Sequence, residues 1–245
     1  MPFPMLQDAV FSEGEGDAYF ERNQETYDPA RDPLLDCLAS QSIKPRDVLE
    51  IGASRGDRLA ELHNRYQANV TAIDPSHAAI ANGRQAFPFI QFFVATARAL
   101  PLEDEHYDLV IASFVFHWID RKCLLTSAAE IDRVLKPNGH LLIADFAPFS
   151  PKKVRYHHRP ESEIYTYKQD YSAIFLATAG YVILAQQIFD HRSLEPASDT
   201  PEGERWCSAL LKKVTGGVYA ADSAGSEAWP SRREDAVPIH KPPIR

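Results

Sequence analysis

The sequence predicts an α/β protein with a doubly wound, mostly parallel sheet of seven strands that ends in an antiparallel C-terminal strand pair. Short apolar runs alternate with amphipathic segments over residues 47–146, as is typical of parallel β-α units. Two of these runs, LVIA at 109–112 and LLIA at 141–144, are continuously apolar, as expected of strands that helices cover on both faces. Two further apolar segments follow a long loop and complete the seven strands.

Each element of the alternation has its own sequence signal. Leu34, Leu35 and Leu38 recur on one face of the segment 30–41, which predicts an amphipathic helix. The predicted strands then span 47–51, 69–73, 90–94, 107–112 and 140–146, and the predicted helices span 57–66, 76–85 and 121–135. The last helix is expected to end at 136–139, where Lys-Pro-Asn-Gly combines a helix breaker with a turn glycine.

After the fifth strand the periodicity is lost over residues 147–167, and a long loop is expected there. A loop of this length in a compact domain is usually functional, so we predict a substrate loop at 146–170. A helix at 168–178 and strands at 181–189 and 206–214 follow, and these two strands close the sheet as a pair.

The chain divides by composition into three predicted parts. Residues 1–41 form an N-terminal helical cap that includes a short helix at 18–23, and residues 42–215 form the α/β domain. Residues 216–245 are rich in alanine, serine, proline and charge without periodicity, and we expect them to be a flexible C-terminal tail.

The composition excludes several classes of partner. The net charge is −8, from 26 Lys and Arg against 34 Asp and Glu, and no basic cluster suits nucleic acid or an anionic membrane. No apolar stretch reaches the roughly 20 residues of a membrane helix, and no secretory leader precedes the domain, so a cytoplasmic location is expected. The spacing of the three cysteines predicts neither a disulfide framework nor zinc, and no metal motif is present, so we expect no metal site. The cysteines are Cys37, Cys123 and Cys207.

The segment 48–59, VLEIGASRGDRL, carries the most chemical information. An acid inside the strand, Glu50, is followed by Gly52, Ser54 and Gly56, and a helix begins immediately afterwards. A dinucleotide fingerprint would require a small residue where Asp57 stands, which argues against a nicotinamide cofactor. A glycine turn lets a ligand lie against bare backbone, and this turn favours a cofactor without phosphate.

Four further motifs follow in order. They are AIDPS at 72–76, LPLED with YDLV at 100–110, SFVFHW at 113–118 and RVLKPNG at 133–139. Together with the glycine turn they resemble the class I S-adenosylmethionine-dependent methyltransferases, in particular the type 11 subgroup, which have a Rossmann-like fold. The resemblance covers residues 48–146 and implies S-adenosylmethionine as the cofactor.

The resemblance also implies which residues hold that cofactor. Asp74 stands where the family has an acid that binds both ribose hydroxyls, and Thr96-Ala97 stand beside the adenine. The implied cofactor residues are Glu50, Gly52, Ala53, Ser54, Gly56, Asp74, Pro75, Thr96, Ala97 and Ser113. Two of them depart from the family pattern: Ser54 replaces a glycine and Thr96 replaces an acid. Serine fits the turn if its φ is negative, and we expect these departures to weaken cofactor binding without abolishing it.

The N-terminal stretch 15–23, EGDAYFERN, has a weaker resemblance to methyltransferases of bacterial surface-sugar pathways, including the methylase associated with pseudaminic acid biosynthesis. Tyr19 and Arg22 are predicted to close over the cofactor, with the guanidinium binding its carboxylate through two hydrogen bonds. The alternative is a solvated helix face from which Tyr19 and Phe20 dock on the core.

Ligands of open α/β sheets lie at the carboxyl ends of the strands, which sorts the candidate catalytic groups. His117 follows the fourth strand and is predicted as a general base, the alternative being a structural ring under the cofactor or bonded to backbone. Residues after the fifth strand are predicted to line a polar substrate pocket, although the two histidines among them would suit an exposed loop equally well. They are His157, His158, Tyr165, Tyr167 and Lys168.

The predicted function is transfer of a methyl group to a small polar molecule, with a sugar or nucleotide-sugar as the acceptor hypothesis and the oligomeric state left open. One alternative is a catalytically degenerate binding module, which the departures at Ser54 and Thr96 support. Another is an α/β-hydrolase, because residues 52–56 match the G-x-S-x-G spacing and Asp145 and His191 follow later strands. The hydrolase alternative leaves AIDPS and RVLKPNG unexplained.

Overall fold

The computed structural model describes residues 7–23, 27–190 and 205–214, and the predicted tail and His191 lie outside these residues. The N-terminal segment contains α1 (Gln7–Val10), a π-helical turn (Phe11–Glu15), α2 (Gly16–Arg22), a 3-10 turn (Pro29–Arg31) and α3 (Pro33–Ser40). The alternating part contains β1 (Asp47–Ile51), α4 (Asp57–Tyr66), β2 (Asn69–Asp74), α5 (His77–Ala86), β3 (Gln91–Val94), β4 (Tyr107–Ser113), α6 (Leu124–Val134) and β5 (Leu135–Phe146). The remainder contains β6 (Lys152–Arg155), β7 (Tyr165–Lys168), α7 (Ser172–Leu176), β8 (Tyr181–Asp190) and β9 (Arg205–Lys213).

Seven strands form one sheet in the order β3-β2-β1-β4-β5-β9-β8. The first five pair in parallel, whereas β9 runs antiparallel to both β5 and β8. This confirms the predicted fold class. The strand order reverses between β1 and β4, and that switch point is where open parallel sheets bind ligands.

Alternate residues of each strand face two separate hydrophobic clusters, one on each side of the sheet. In β4, Leu109 and Ile111 pack in the cluster that holds the leucines of α3 and α4. Val110 and Ala112 pack in the opposite cluster with Ile131 of α6. This layering explains the continuous apolar runs of the central strands, because both faces of the sheet are covered.

The predicted long loop at 147–167 is wrong in part, because β6 and β7 form a two-stranded antiparallel hairpin there. Lys153 pairs with Tyr167 and Arg155 with Tyr165, and the Lys153 Nζ lies 3.7 Å from the centroid of the Tyr165 ring. These cross-strand contacts between cations and aromatic rings support the hairpin without an apolar alternation, so hydrophobic periodicity did not reveal it.

Two helix boundaries also differ from the prediction. The helix predicted at 168–178 is only Ser172–Leu176, because Lys168 belongs to β7 and Asp170 accepts hydrogen bonds from the backbone N–H and hydroxyl of Ser172. The predicted break at 136–139 is instead an irregularity inside β5, which begins directly after α6 and shifts its register against β4. Asn138 there has a left-handed φ of 63°.

In the described residues, no helix is long and apolar enough to cross a membrane. The same residues contain no group of three or more side chains arranged to hold a metal ion. The three cysteines are free thiols in this structure.

Leu49 in β1 is completely buried, and its truncation tests the central layer. We expect Leu49→Ala to lower the free energy of unfolding by about 2–5 kcal/mol, because it leaves a cavity between β1 and α6. Urea denaturation measures the change, with Leu125→Ala as the control. Leu125 is 73% exposed, and its truncation should change stability by less than about 0.5 kcal/mol. Equal effects of the two variants would contradict this core.

Candidate cofactor site

A cavity of about 490 Å³ opens at the carboxyl ends of β1, β2 and β4, on the switch point of the sheet. The loops after these strands form its floor, and the N-terminal segment forms its opposite wall. From the floor come Glu50, Ile51, Gly52, Ala53, Ser54, Asp57, Arg58, Asp74, Pro75, Ser76, Ala79, Ala95, Thr96, Ala97, Ser113, Phe114, Val115, Trp118 and Ile119. From the N-terminal segment come Phe11, Gly16, Tyr19, Phe20, Asn23 and Tyr27.

The loop after β1 can only be built with glycine at two positions. Gly52 has a φ of 72°, and a Cβ at this position would lie 2.4 Å from Cγ2 of Val115. Gly56 has a φ of 90° and precedes the first residue of α4. The backbone N–H of Gly52 donates to the carbonyl of Ile73 over 2.8 Å. The loop is therefore bound to β2 and presents bare backbone to the cavity.

Ser54 also adopts a left-handed conformation, with a φ of 51°. The condition on which serine was expected to fit this turn, a negative φ, is therefore not met. The backbone N–H of Ser54 donates to Oδ2 of Asp74 over 2.8 Å, and this bond holds the residue in its strained conformation.

Asp74 ends β2 and faces the cavity. Its carboxylate accepts hydrogen bonds from the backbone N–H groups of Ser54 and Ser76, each over 2.8 Å. Burial outweighs these two bonds and raises the pKa of Asp74 to about 6. An ionised carboxylate has about four acceptor positions, so two remain for a ligand with paired hydroxyl donors.

A buried ionic network contributes Glu50, Arg58 and Tyr27 to the lining of the cavity. The Arg58 guanidinium in α4 donates to Oε1 of Glu50 and, over 2.7 Å, to Oδ2 of Asp32. The Tyr27 hydroxyl donates to the same Asp32 oxygen over 2.7 Å. Nothing in the spacing of Tyr27, Asp32 and Arg58 indicated this network, because its members come from three separate elements.

Glu50 contributes the unusual atom of this network. The residue is 2% exposed, and its second carboxylate oxygen, Oε2, has no hydrogen-bond partner. Burial raises the pKa of Glu50, which Arg58 opposes. A buried acceptor without a donor is costly, so a ligand donor in the cavity would stabilise it.

Most of the residues implied to bind cofactor line the cavity. Those that do so are Glu50, Gly52, Ala53, Ser54, Asp74, Pro75, Thr96, Ala97, Ser113 and Tyr19. Gly56 lies behind the loop, where a Cβ would be 2.9 Å from Cδ1 of Ile90. Arg22 also lies outside the lining, because its guanidinium donates to Glu15 and to the Tyr156 hydroxyl. Binding of a cofactor carboxylate by Arg22 stays a prediction.

His117 is buried and does not line the cavity. Its Nδ1 lies 2.8 Å from Oδ1 of Asp145, and its backbone N–H donates to Oδ2 of the same residue over 3.2 Å. Asp145 at the end of β5 thus holds the loop that carries Trp118. Catalysis by His117 stays a prediction. The hydrolase alternative requires His191, which lies outside the described residues.

The residues predicted to bind substrate lie on or beside the hairpin, outside the lining of the cavity. His157 and His158 are exposed, and the centroids of their rings are 3.9 Å apart. The other three, Tyr165, Tyr167 and Lys168, are half-buried in β7. The Tyr167 N–H donates to the carbonyl of His117, so the hairpin is attached to the loop after β4.

The aromatic wall of the cavity went largely unrecognised in the sequence. Phe11, Phe20, Tyr27 and Trp118 line it, whereas the sequence predicted only Tyr19 and Arg22 of the N-terminal segment to lie over the cofactor. Phe116, in contrast, is fully buried and stacks on Tyr171.

Comparison with known proteins agrees with this geometry. Residues 48–139 match the family model described as a methyltransferase domain. A malonyl-[acyl-carrier protein] O-methyltransferase of Halorhodospira halophila is 30% identical over 147 residues, which are 56% of this chain and 49% of the relative. An uncharacterized methyltransferase of Mycobacterium tuberculosis is 32% identical over 136 residues, 55% of this chain and 52% of the relative. The chain therefore spans about half the length of these curated relatives.

Solved structures show the same fold. The 1,6-didemethyltoxoflavin-N1-methyltransferase of Burkholderia thailandensis, with 1,6-didemethyltoxoflavin and S-adenosylhomocysteine bound, has a TM-score of 0.66 at 18% identity over 88% of this chain and 93% of that one. The N-methyltransferase NodS of Bradyrhizobium japonicum has a TM-score of 0.54 at 18% identity over 80% and 97%. The sequence matches confirm the resemblance to class I S-adenosylmethionine-dependent methyltransferases, with residues 48–139 matching their methyltransferase domain, and the solved structures show the shared fold. The N-terminal resemblance to surface-sugar enzymes stays a prediction.

Replacing Ser54 tests the strain in the loop. We expect Ser54→Gly to raise the free energy of unfolding by up to about 1 kcal/mol, because the left-handed conformation costs an L-residue roughly 1–2 kcal/mol. Urea denaturation measures the difference. Ser40→Gly, in the last turn of α3, is the control and should be destabilising. A loss of stability in Ser54→Gly would show that the loop depends on the serine side chain.

Proposed function

We propose that this chain is an S-adenosylmethionine-dependent methyltransferase that acts on a small polar acceptor. The observation that carries the proposal is that Glu50, whose buried Oε2 has no hydrogen-bond partner, lines the same cavity as Asp74 and the bare backbone of the loop after β1. This arrangement suits a ligand with a cationic donor at one end and paired hydroxyls at the other.

The residues present fit S-adenosylmethionine. Glu50 would accept from its α-ammonium group, and Asp74 would accept from its ribose hydroxyls. Thr96 and Ala97 would lie beside the adenine, as the family resemblance implies. Among the described residues, the lining carries the carboxylates of Glu50, Asp57 and Asp74 and the guanidinium of Arg58. Glu50 is paired with Arg58 and Asp57 with Arg55, so the Asp74 carboxylate contributes most to the negative potential of the cavity. Such a cavity favours a cationic ligand and disfavours a pyrophosphate.

When bound, the cofactor would supply a methyl group that its sulfonium centre makes electrophilic. The chain contributes position and exclusion of water: Phe11, Phe20 and Trp118 cover the cavity with aromatic surface. No histidine or lysine is among the described residues that line it. An acceptor whose lone pair is available without deprotonation therefore suits the cavity best, because it needs no general base. Within this proposal His117 positions the loop that carries Trp118, together with Asp145.

The acceptor hypothesis remains a sugar or nucleotide-sugar and rests on the N-terminal resemblance. The acidic lining favours a neutral sugar over a diphosphate within the cavity. The relatives named malonyl-[acyl-carrier protein] O-methyltransferases supply a second candidate, a carboxylate carried by an acyl-carrier protein. Mass spectrometry of both acceptor classes after incubation with S-adenosylmethionine would detect the added methyl group. Absence of transfer to any acceptor despite cofactor binding would favour the binding-module alternative.

Calorimetric titration tests the cofactor assignment. We expect one-to-one binding of S-adenosylmethionine and S-adenosylhomocysteine in the micromolar range, and no heat with NAD. Asp74→Asn should weaken binding at least tenfold, because the amide accepts fewer hydrogen bonds and carries no charge. Asp104→Asn, at an exposed acid paired with Arg133 outside the cavity lining, is the matched control and should bind like the wild type. Unchanged binding by Asp74→Asn would refute the site, and binding of NAD alone would refute the cofactor.

The raised pKa of Asp74 predicts a pH dependence of binding. The ionised carboxylate is the better acceptor, so ligand binding favours it and is lost as the pH falls through about 6. We expect the dissociation constant for S-adenosylhomocysteine to rise about tenfold between pH 7.5 and pH 5. The Asp74→Asn variant should show little of this dependence. A wild-type affinity that is flat over this range would argue that Asp74 does not contact the ligand.

A further inference from the structure

The N-terminal segment closes one side of the cavity. Gly16, Tyr19 and Phe20 of α2 line it together with Asn23. Any ligand as large as the cavity must pass this wall or another part of the rim. The attachment of α2 to the rest of the molecule therefore bears on exchange of the ligand.

Polar contacts attach α2 itself, and a small aromatic cluster attaches the turn that precedes it. Asp17 accepts from the Ser76 hydroxyl over 2.6 Å and from the backbone N–H of Ala78 over 3.0 Å. Phe11 packs with Tyr156 in a cluster separate from the two clusters of the sheet. Segments held by few buried apolar contacts open at lower free-energy cost than the core.

One hydroxyl ties both ends of α2 to the hairpin. Tyr156, which follows β6, donates to Oε1 of Glu15 over 2.8 Å, and Glu15 is the residue immediately before α2. Arg22, the last residue of α2, donates to the same Glu15 oxygen over 2.5 Å and to the Tyr156 oxygen over 2.9 Å. Burial and Glu15 raise the pKa of Tyr156, so its hydroxyl stays a donor. We call these three residues the latch.

A hinge lies directly beside the latch. Gly14 has a φ of 145° within the π-helical turn, and a Cβ built on it would meet nothing within 4 Å. Backbone conformation, and not space, is what requires glycine here. Before the hinge, the Gln7 side chain is fixed between Trp118 and Tyr165, because its amide donates to both carbonyls over 2.7 Å and accepts from the Tyr165 N–H.

From these contacts we propose that α2 is a gate of the cofactor cavity, which swings about Gly14 and is held shut by the latch of Glu15, Arg22 and Tyr156. The fixed Gln7 keeps the segment before the hinge in place while α2 moves. The part of this inference that concerns cofactor exchange rests on the proposed function, whereas the motion of α2 does not.

Stopped-flow release of S-adenosylhomocysteine tests the gate. Tyr156→Phe keeps the ring against Phe11 and removes the hydroxyl, and Glu15→Gln keeps the size and removes the charge. Each is expected to speed dissociation at least tenfold, because each loses hydrogen bonds to a buried charged group. Tyr66→Phe in α4 and Glu61→Gln, whose surface pair with Arg65 is remote from the cavity, are the matched controls and should release the ligand at the wild-type rate.

Amide hydrogen exchange separates failure of the gate from failure of the proposed function. Without ligand, residues 16–23 should exchange faster in Tyr156→Phe than in the wild type, while the strands β1 and β4 stay unchanged. Dissociation within twofold of the wild type in both latch variants would overturn the gate, as would unchanged exchange of residues 16–23. A wild type that binds no S-adenosylhomocysteine but shows the exchange difference would refute the cofactor assignment and leave the motion of α2 supported.

Discussion

The buried guanidinium of Arg58 joins the three elements on which the floor of the cavity depends. It binds Glu50 at the end of β1 and Asp32 at the start of α3, while α4 carries Arg58 itself. Asp32 also accepts from the backbone N–H of Leu34 and so begins α3. Breaking such a buried pair by removing one partner typically costs about 3–5 kcal/mol, because the charge left behind has lost its compensation. The Arg58 side chain therefore both stabilises the fold and holds Glu50 in the lining of the cavity.

The parallel sheet converts this local network into a binding site. Three adjacent strands, β2, β1 and β4, end at the same edge of the sheet. Their last residues include Asp74, Glu50 and Ser113. Their side chains are polar although the strands beneath them are apolar on both faces, so the polar groups gather where the helices no longer cover the sheet. The loops after these strands then need only short backbone excursions to enclose the cavity.

The alternation of apolar runs predicted the sheet and most of its helices, because periodicity reports burial. It also placed Glu50, Gly52 and Asp74 at one edge, since the carboxyl ends of parallel strands must meet there. Periodicity carries no information on φ, so it did not predict the left-handed conformation of Ser54. Nor does periodicity report contacts between distant elements. The Arg22 guanidinium donates to Glu15 and to the Tyr156 hydroxyl, although Tyr156 lies 134 residues away in the sequence. Periodicity also failed to predict the hairpin of β6 and β7, because contacts between cations and aromatic rings support it in place of alternating apolar residues.

The acidity of the cavity has a consequence for turnover. The Asp74 carboxylate, together with the ion-paired carboxylates of Glu50 and Asp57, attracts a ligand in proportion to its positive charge, and methyl transfer from a sulfonium removes one such charge. Under the proposed function, the spent ligand is therefore held less strongly by the field that favoured its charged precursor. The reaction itself therefore weakens the electrostatic attraction between the cavity and the ligand, and release of the spent ligand begins from a less tightly held state.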